Sequence, residues 1–192
     1  MTRIRALVAL AVALGLPAPA SADWLLTPIV GTTVRTATGF VDLDGTAANR
    51  HPIFGVSVTA LSSGVFGVDS EATIVPSVFT GHELVDSSRV LTAGASLLVV
   101  VPRRMLRIRP YAVVGADLVR TTSTDAGLLP IASTLPAMHL GGGVWVPVAR
   151  RVAVRADVRF MRTRTGDNGA FAVHGGYIEM GRITTGVAWR FR

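Results

Sequence analysis

The chain has 192 residues, 49% of them hydrophobic, and a formal net charge of +7. Its length suits one domain, and its lack of cysteine excludes a disulfide scaffold, thiolate catalysis and a cysteine-based zinc site. Every basic residue is an arginine. Because these arginines are scattered along the sequence and not clustered with aromatic residues, nucleic acid is not expected as a partner.

The beginning of the chain is organised like an export signal. Arg3 and Arg5 provide a positive start, an apolar run follows them, and the small residues 20–22 form a cleavage pattern. The run is too short for a membrane-spanning helix, which needs about 20 apolar residues. We therefore predict a cleaved signal peptide over residues 1–22 and one exported domain over residues 23–192. A buried N-terminal helix is the alternative interpretation.

Apolar and polar side chains alternate along the rest of the chain with the period of a β-strand. The alternation predicts strands over residues 24–35, 51–61, 64–76, 89–101, 107–120, 137–147, 151–162 and 181–191. Long joins follow the odd-numbered strands and short joins follow the even-numbered ones. Membrane barrels have this organisation, with tight periplasmic turns and long external loops. The sequence predicts an all-β fold, an eight-stranded antiparallel up-and-down transmembrane β-barrel with both ends of the barrel chain on the periplasmic side.

The seventh strand shows most clearly how its two faces differ. One row of side chains is apolar from Val152 to Phe160, and the other row carries Arg155, Asp157 and Arg159. In a lipid-embedded barrel the apolar row faces lipid and the charges face inward, whereas a soluble barrel has the reverse arrangement. We expect the lipid-embedded arrangement, because small and polar rows suit the crowded interior of eight strands. A soluble periplasmic barrel is the weaker alternative.

Inward rows of several strands carry charges of both signs, which predicts a charge network in the lumen. Its predicted members are Asp69, Glu71, Asp117 and Asp157 with Arg109, Arg155, Arg159 and Arg190. Charges shielded from water need partners, so the network is expected to fill and rigidify the lumen. A gate or ion path is the alternative. The pattern leaves open whether Tyr111 and Trp145 face inward or outward.

No catalytic, cofactor-binding or metal-binding residues are predicted. A lipid hydrolase needs a serine oriented by a histidine that a carboxylate orients in turn. The histidines are His51, His82, His139 and His174, and none is followed by a nearby serine on the same strand face. We expect His139 to be a lumen or strand residue and the others to lie in loops. Residues 42–45 resemble the start of a calcium loop but lack the glutamate that would complete it.

The exported part of the chain resembles the small eight-stranded outer-membrane β-barrel proteins of Gram-negative bacteria, the family of the outer membrane protein beta-barrel domain. Residues 109–117 resemble the fifth strand of that family, and residues 140–146 and 151–159 resemble its sixth and seventh strands. The resemblance implies location in the outer membrane, contact with outer-membrane lipids and a monomeric barrel. It also implies a structural or surface-interaction role without catalysis or cofactor. A lipid-modifying enzyme of the same fold and a narrow pore are the alternatives.

The C-terminal residues resemble the signal that the barrel-assembly machinery recognises in this family. The matching residues are Thr184, Gly186, Trp189 and Phe191. The chain departs from the family pattern in one respect, because Arg192 follows the terminal aromatic residue. The resemblance therefore implies the assembly machinery as a partner.

Overall fold

The computed structural model describes residues 23–38, 50–62, 64–76, 85–101, 108–125, 131–163 and 178–191. The predicted signal peptide, the calcium-loop resemblance at residues 42–45, His82, His174 and Arg192 lie outside the described residues. Within the described ranges, no helix is long and apolar enough to cross a membrane.

Eight strands form one closed antiparallel barrel. They are β1 (Asp23–Thr38), β2 (Pro52–Leu61), β3 (Phe66–Pro76), β4 (Val85–Val100), β5 (Arg109–Asp125), β6 (Ile131–Pro147), β7 (Val152–Thr163) and β8 (Ile178–Phe191). Each strand pairs with the next along the chain, and β1 pairs with β8 from Trp24 opposite Phe191 to Thr38 opposite Ile178. Closure leaves no sheet edge, so backbone donors and acceptors of the strands are paired within the protein. The predicted fold class is confirmed.

The strands β4, β5 and β6 are longer than the sequence pattern indicated. Residues 121–136 were predicted as a long join, but β5 ends at Asp125 and β6 begins at Ile131. The join of residues 126–130, at one end of the barrel, is thus shorter than the join of residues 101–108 at the opposite end. The predicted strict alternation of long and short joins is wrong. The serine and threonine residues there are β-compatible and pair across the β5–β6 ladder, which outweighs their loop-like composition.

The facing of the strands follows the prediction for a lipid-embedded barrel. On β7, Val158 is 55% exposed and Phe160 is 49% exposed, whereas Arg155 and Arg159 are each 1% exposed. Apolar side chains therefore cover the outside, and charged side chains lie inside. Tyr111 and Trp145, whose facing the sequence left open, are both buried in the lumen.

The two ends of the barrel differ. The start of β1, the end of β8 and the joins at residues 62–65, 101–108 and 148–151 share one end. The joins at residues 39–51, 77–84, 126–130 and 164–177 share the other. By the rule for outer-membrane barrels, the first end is periplasmic and the second is external.

Candidate functional site: the charge layer of the lumen

The interior of the barrel has three levels along its axis. At the periplasmic end of the lumen, an apolar cluster consists of Leu25, Leu61, Leu98, Val100, Tyr111, Val113, Trp145, Ala153 and Ala188. At the external end of the lumen, a second apolar cluster consists of Ile53, Val75, Val90, Val119, Ala137, Met161 and Met180. Polar and charged side chains lie between them. On β7, for example, Arg155, Asp157 and Arg159 separate Ala153 of the first cluster from Met161 of the second.

Arg155 makes the largest number of polar contacts in this middle level. Its Nη2 lies 3.2 Å from Oδ2 of Asp69 and 3.1 Å from Oδ2 of Asp157. Its Nη1 donates a hydrogen bond to Ser57 Oγ at 2.7 Å, and its Nε donates to the Tyr111 hydroxyl at 2.8 Å. That hydroxyl donates in turn to Asp157. The guanidinium is shielded from solvent, and charge-assisted hydrogen bonds replace its water shell.

Two stacked aromatic rings cover the periplasmic side of Arg155. The ring centroids of Tyr111 and Trp145 are 4.0 Å apart, and Cζ of Arg155 lies 5.6 Å from each centroid. This geometry adds cation–π attraction to the ion pairs. Gly143 provides the space, because a Cβ at that position would lie 2.6 Å from Cζ of Tyr111. The glycine run of β6 thus permits close packing at this level of the lumen.

Arg159 and Arg182 complete the arrangement. Nη2 of Arg159 lies 2.9 Å from Oδ2 of Asp69 and 3.1 Å from Oε2 of Glu71, and its Nε donates to Oδ1 of Asp157 at 2.8 Å. Nη2 of Arg182 lies 2.6 Å from Oε1 of Glu71. This last contact is an ion pair without the alignment of a hydrogen bond, since Oε1 accepts none.

We call these residues the charge layer: Asp69, Glu71, Asp157, Arg155, Arg159 and Arg182. Three carboxylates face three guanidiniums, so their formal charges cancel. This balance of charge matters because removing an ion from water costs several kcal/mol, and only a well-formed ion pair offsets a cost of that order. Removal of one partner alone would therefore leave a buried charge without compensation.

Three residues predicted for the lumen network lie outside the charge layer. Arg190 contacts Asp23 at the periplasmic rim, where Nε and Oδ2 are 3.5 Å apart. Arg109 is buried at the start of β5 and pairs in register with Trp145. Asp117 belongs to a separate cluster on β4, β5 and β6. Position along the strand explains these differences, because the inward face alone does not set the height at which a side chain lies.

The separate cluster joins Ser96, His139 and Asp117. Nε2 of His139 lies 2.9 Å from Ser96 Oγ, and its Nδ1 lies 2.5 Å from Oδ2 of Asp117. Ser96 pairs in register with Gly115, which pairs with His139, so the imidazole crosses β5 above a glycine. A Cβ at Gly115 would lie 2.7 Å from Cε1 and Nε2 of the ring. The order serine, histidine, carboxylate is that of a nucleophilic triad.

Sequence reasoning did not find this cluster, or the role of Arg182. The search for a catalytic serine covered the strand that carries each histidine, whereas Ser96 lies two strands away from His139. Arg182 shares the inward face of β8 with Thr184, and that parity was the signal available. His139 itself lies in the lumen and is 3% exposed.

The residues that resemble the assembly signal all lie on β8. Thr184 is buried and faces the lumen, and Gly186 shares that face. Trp189 and Phe191 are 42% and 53% exposed on the outer surface near the periplasmic end. Trp24 and Phe66 are also exposed there, as expected for aromatic residues at a membrane interface. In the described part of the chain, no group of three or more histidine, aspartate or glutamate residues is arranged so that it could hold a metal ion.

A closed antiparallel barrel with an apolar exterior and a filled, charged interior defines an integral outer-membrane protein. The sequence profile of the family described as outer membrane protein beta-barrel domain matches residues 6–191, and the chain belongs to this family. It is located in the outer membrane of Gram-negative bacteria. A comparison with curated proteins finds no match.

Several solved barrels are similar to this chain. Neisserial surface protein A is 13% identical with a TM-score of 0.62, over 88% of this chain and 97% of that chain. OprG of Pseudomonas aeruginosa is 13% identical with a TM-score of 0.59, over 90% and 97%. Ail of Yersinia pestis, solved with a heparin analogue, is 12% identical with a TM-score of 0.57, over 89% and 99%. At these identities the similarity establishes the fold alone.

Proposed function

We propose that this protein is a rigid, non-catalytic outer-membrane barrel with a structural or surface-interaction role. Its strands would hold the external joins at fixed positions, and those joins would make the specific contacts. We call this the anchor role. The observation that supports this proposal is the balanced charge layer enclosed between two apolar clusters. A lumen cross-linked in this way favours rigidity over transport, because opening it separates buried ion pairs.

The rival interpretation of a narrow pore is tested by conductance. The apolar clusters lie on both sides of the charge layer, and an ion that crossed them would lose its hydration without a replacement. We expect purified, refolded protein in planar bilayers to leave conductance at baseline, with a general porin in the same bilayer as the positive control. Reproducible conductance steps from this protein would overturn the anchor proposal in favour of a pore.

The second rival is a lipid-modifying hydrolase, and Ser96, His139 and Asp117 favour it. Their burial argues against turnover, since Ser96 is 4% exposed and lies inside the filled lumen. We expect a fluorophosphonate probe to label neither the folded protein nor the Ser96→Ala variant. Labelling of the unaltered protein that the Ser96→Ala variant loses would establish a reactive serine and replace our proposal.

A further experiment tests whether the barrel folds independently of its external joins. Replacing residues 164–177 with a short glycine–serine linker should leave the heat-dependent shift in gel mobility and the outer-membrane location unchanged. The same replacement at residues 39–49 is the matched second variant. A loss of folding in both variants would contradict the idea that the barrel is an independent scaffold.

We also propose that the barrel is a monomer in contact with outer-membrane lipids, and that the barrel-assembly machinery recognises β8. Exposure of Trp189 and Phe191 near the periplasmic end supports this recognition. Replacing both with alanine should reduce the amount of folded barrel in the outer membrane, whereas replacing the exposed Val148 should not. Chemical cross-linking in membranes that yields a ladder of oligomers would refute the monomer.

A further inference from the structure

Two arginines lie side by side on the outer surface near the external end. Arg89 on β4 and Arg120 on β5 are both exposed and share the outward face of their strands with Leu91 and Leu118. Arg89 pairs in register with Thr122, and Arg120 pairs with Leu91. The two arginines are therefore diagonal neighbours across one antiparallel pair, a position that separates residues by roughly 7–8 Å.

These two charges differ from other outward charges at the same end. Arg162 on β7 has a carboxylate beside it, with 3.2 Å between its Nε and Oε1 of Glu179 on β8. Among the side chains that the structure describes, neither Arg89 nor Arg120 has an ion-pair or hydrogen-bond partner. Two like charges at diagonal positions repel each other through Coulomb interaction, more weakly than charges directly opposite. An anion that binds both guanidiniums would remove this repulsion.

The surroundings of the two arginines select the kind of anion. The threonines Thr122 and Thr134 pair in register with Arg89 and Arg120, respectively, and share their outward face. Guanidinium groups bind phosphate with two parallel hydrogen bonds, and hydroxyl groups add further donors. The chain has no lysine, so its outward cations all have this planar, forked geometry. The combination fits a phosphate group better than a carboxylate, which has fewer acceptor oxygens.

Large apolar side chains lie directly toward the membrane centre from this group. Leu91 and Leu118 are 45% and 54% exposed, and Met138 and Leu140 on β6 are each 65% exposed. A ligand with a phosphate at the level of the arginines and hydrocarbon chains below it would satisfy both regions. Such a ligand is a phosphorylated lipid and not a free anion.

We propose that Arg89, Arg120, Thr122 and Thr134 bind a phosphate group of the phosphorylated glycolipid in the external leaflet. The external location follows from the barrel end at which the arginines lie. This inference deepens the proposed contact with outer-membrane lipids. It is independent of the anchor role, because a barrel without this lipid contact could still hold its external joins.

The test compares lipid binding by matched variants of the refolded full-length barrel in detergent. The probes for native mass spectrometry are bisphosphorylated lipid A, its dephosphorylated form, phosphatidylglycerol and inorganic phosphate. The variant R89Q/R120Q removes both outward charges, and R150Q/R151Q removes two exposed arginines at the periplasmic end as the control. Heat-dependent gel mobility establishes that each variant is folded.

We expect R89Q/R120Q to bind bisphosphorylated lipid A about tenfold to thirtyfold more weakly than the unaltered protein, and R150Q/R151Q to bind it equally well. Dephosphorylated lipid A should bind the unaltered protein as weakly as the phosphorylated form binds R89Q/R120Q. Equal binding of phosphorylated lipid A by R89Q/R120Q and the unaltered protein overturns the inference. Phosphatidylglycerol or inorganic phosphate that binds as tightly as lipid A overturns the assignment to the external glycolipid. None of these results bears on conductance or serine labelling, so failure of this inference is distinguishable from failure of the anchor role.

Discussion

Arg155 and Asp69 lie on opposite sides of the barrel and are joined across its lumen. Arg155 is on β7 and Asp69 is on β3, four strands away in either direction around the closed sheet. Nη2 of the arginine lies 3.2 Å from Oδ2 of the aspartate. Because only barrel closure brings these strands face to face, the contact depends on the complete fold. The ion pair therefore links opposite walls of the barrel through its lumen.

Replacing Arg155 with methionine should strongly destabilise the barrel. The change leaves Asp69 and Asp157 buried with fewer cationic partners, and an unpaired buried charge costs about 3–5 kcal/mol. Urea unfolding in lipid vesicles, followed by gel mobility, measures the free energy of unfolding. Arg151→Met at the exposed β6–β7 turn is the control and should change this free energy by about 0.5 kcal/mol or less. Equal stability of both variants would contradict the role of the charge layer.

The pair of Arg182 and Glu71 should show strong energetic coupling. We expect a double-mutant cycle with Arg182→Met and Glu71→Gln to give about 1–3 kcal/mol, because both groups are buried and in contact. Arg162 and Glu179 form the matched pair on the outer surface, where coupling should be about 0.2–1 kcal/mol. The idea fails if the exposed pair couples as strongly as the buried pair.

Alanine at Gly115 should disturb the cluster of Ser96, His139 and Asp117. Its Cβ would lie 2.7 Å from the imidazole, so the ring or β5 must move, at a cost of about 1–3 kcal/mol. The control is Gly64→Ala in the β2–β3 turn, where the nearest atom, Ser62 Oγ, would lie 3.6 Å from the new Cβ. Urea unfolding gives the stability of each variant, and the NMR signals of the His139 ring report its position. An unshifted ring in Gly115→Ala would refute the packing argument.

Arginine in place of Val158 tests which solvent surrounds β7. Val158 lies near the middle of the strand and faces outward, so a charge there should cost about 2–4 kcal/mol in a bilayer. Val148→Arg in the exposed β6–β7 turn should cost about 0–1 kcal/mol, as expected near the membrane interface. Both variants are compared by urea unfolding in vesicles. If Val158→Arg were as stable as Val148→Arg, lipid could not be the medium at that position.

The lengths of the strands could be predicted only in part from the sequence. The alternation on β2, β3 and β7 located those strands closely, because one face of each is mainly apolar and the middle of the other face carries small, polar or charged residues. At the external end of the barrel, the ends of β5 and β6 consist mainly of small polar residues without that alternation. Pairing between the two strands begins β6 at Ile131 opposite Ser123, and pairing with β4 extends β5 to Asp125. Pairing between residues distant in sequence leaves no periodic signal in either strand.

The class of fold, and the facing of the strands with clean alternation, follow from the sequence alone. Lipid outside and a narrow lumen inside impose opposite requirements on successive residues, and that local requirement is written into the alternation. Which inward residues meet depends on the closed barrel. Arg155 reaches Asp69 and His139 reaches Ser96 because barrel closure and strand register set their heights and distances. These are long-range relationships that no local pattern encodes.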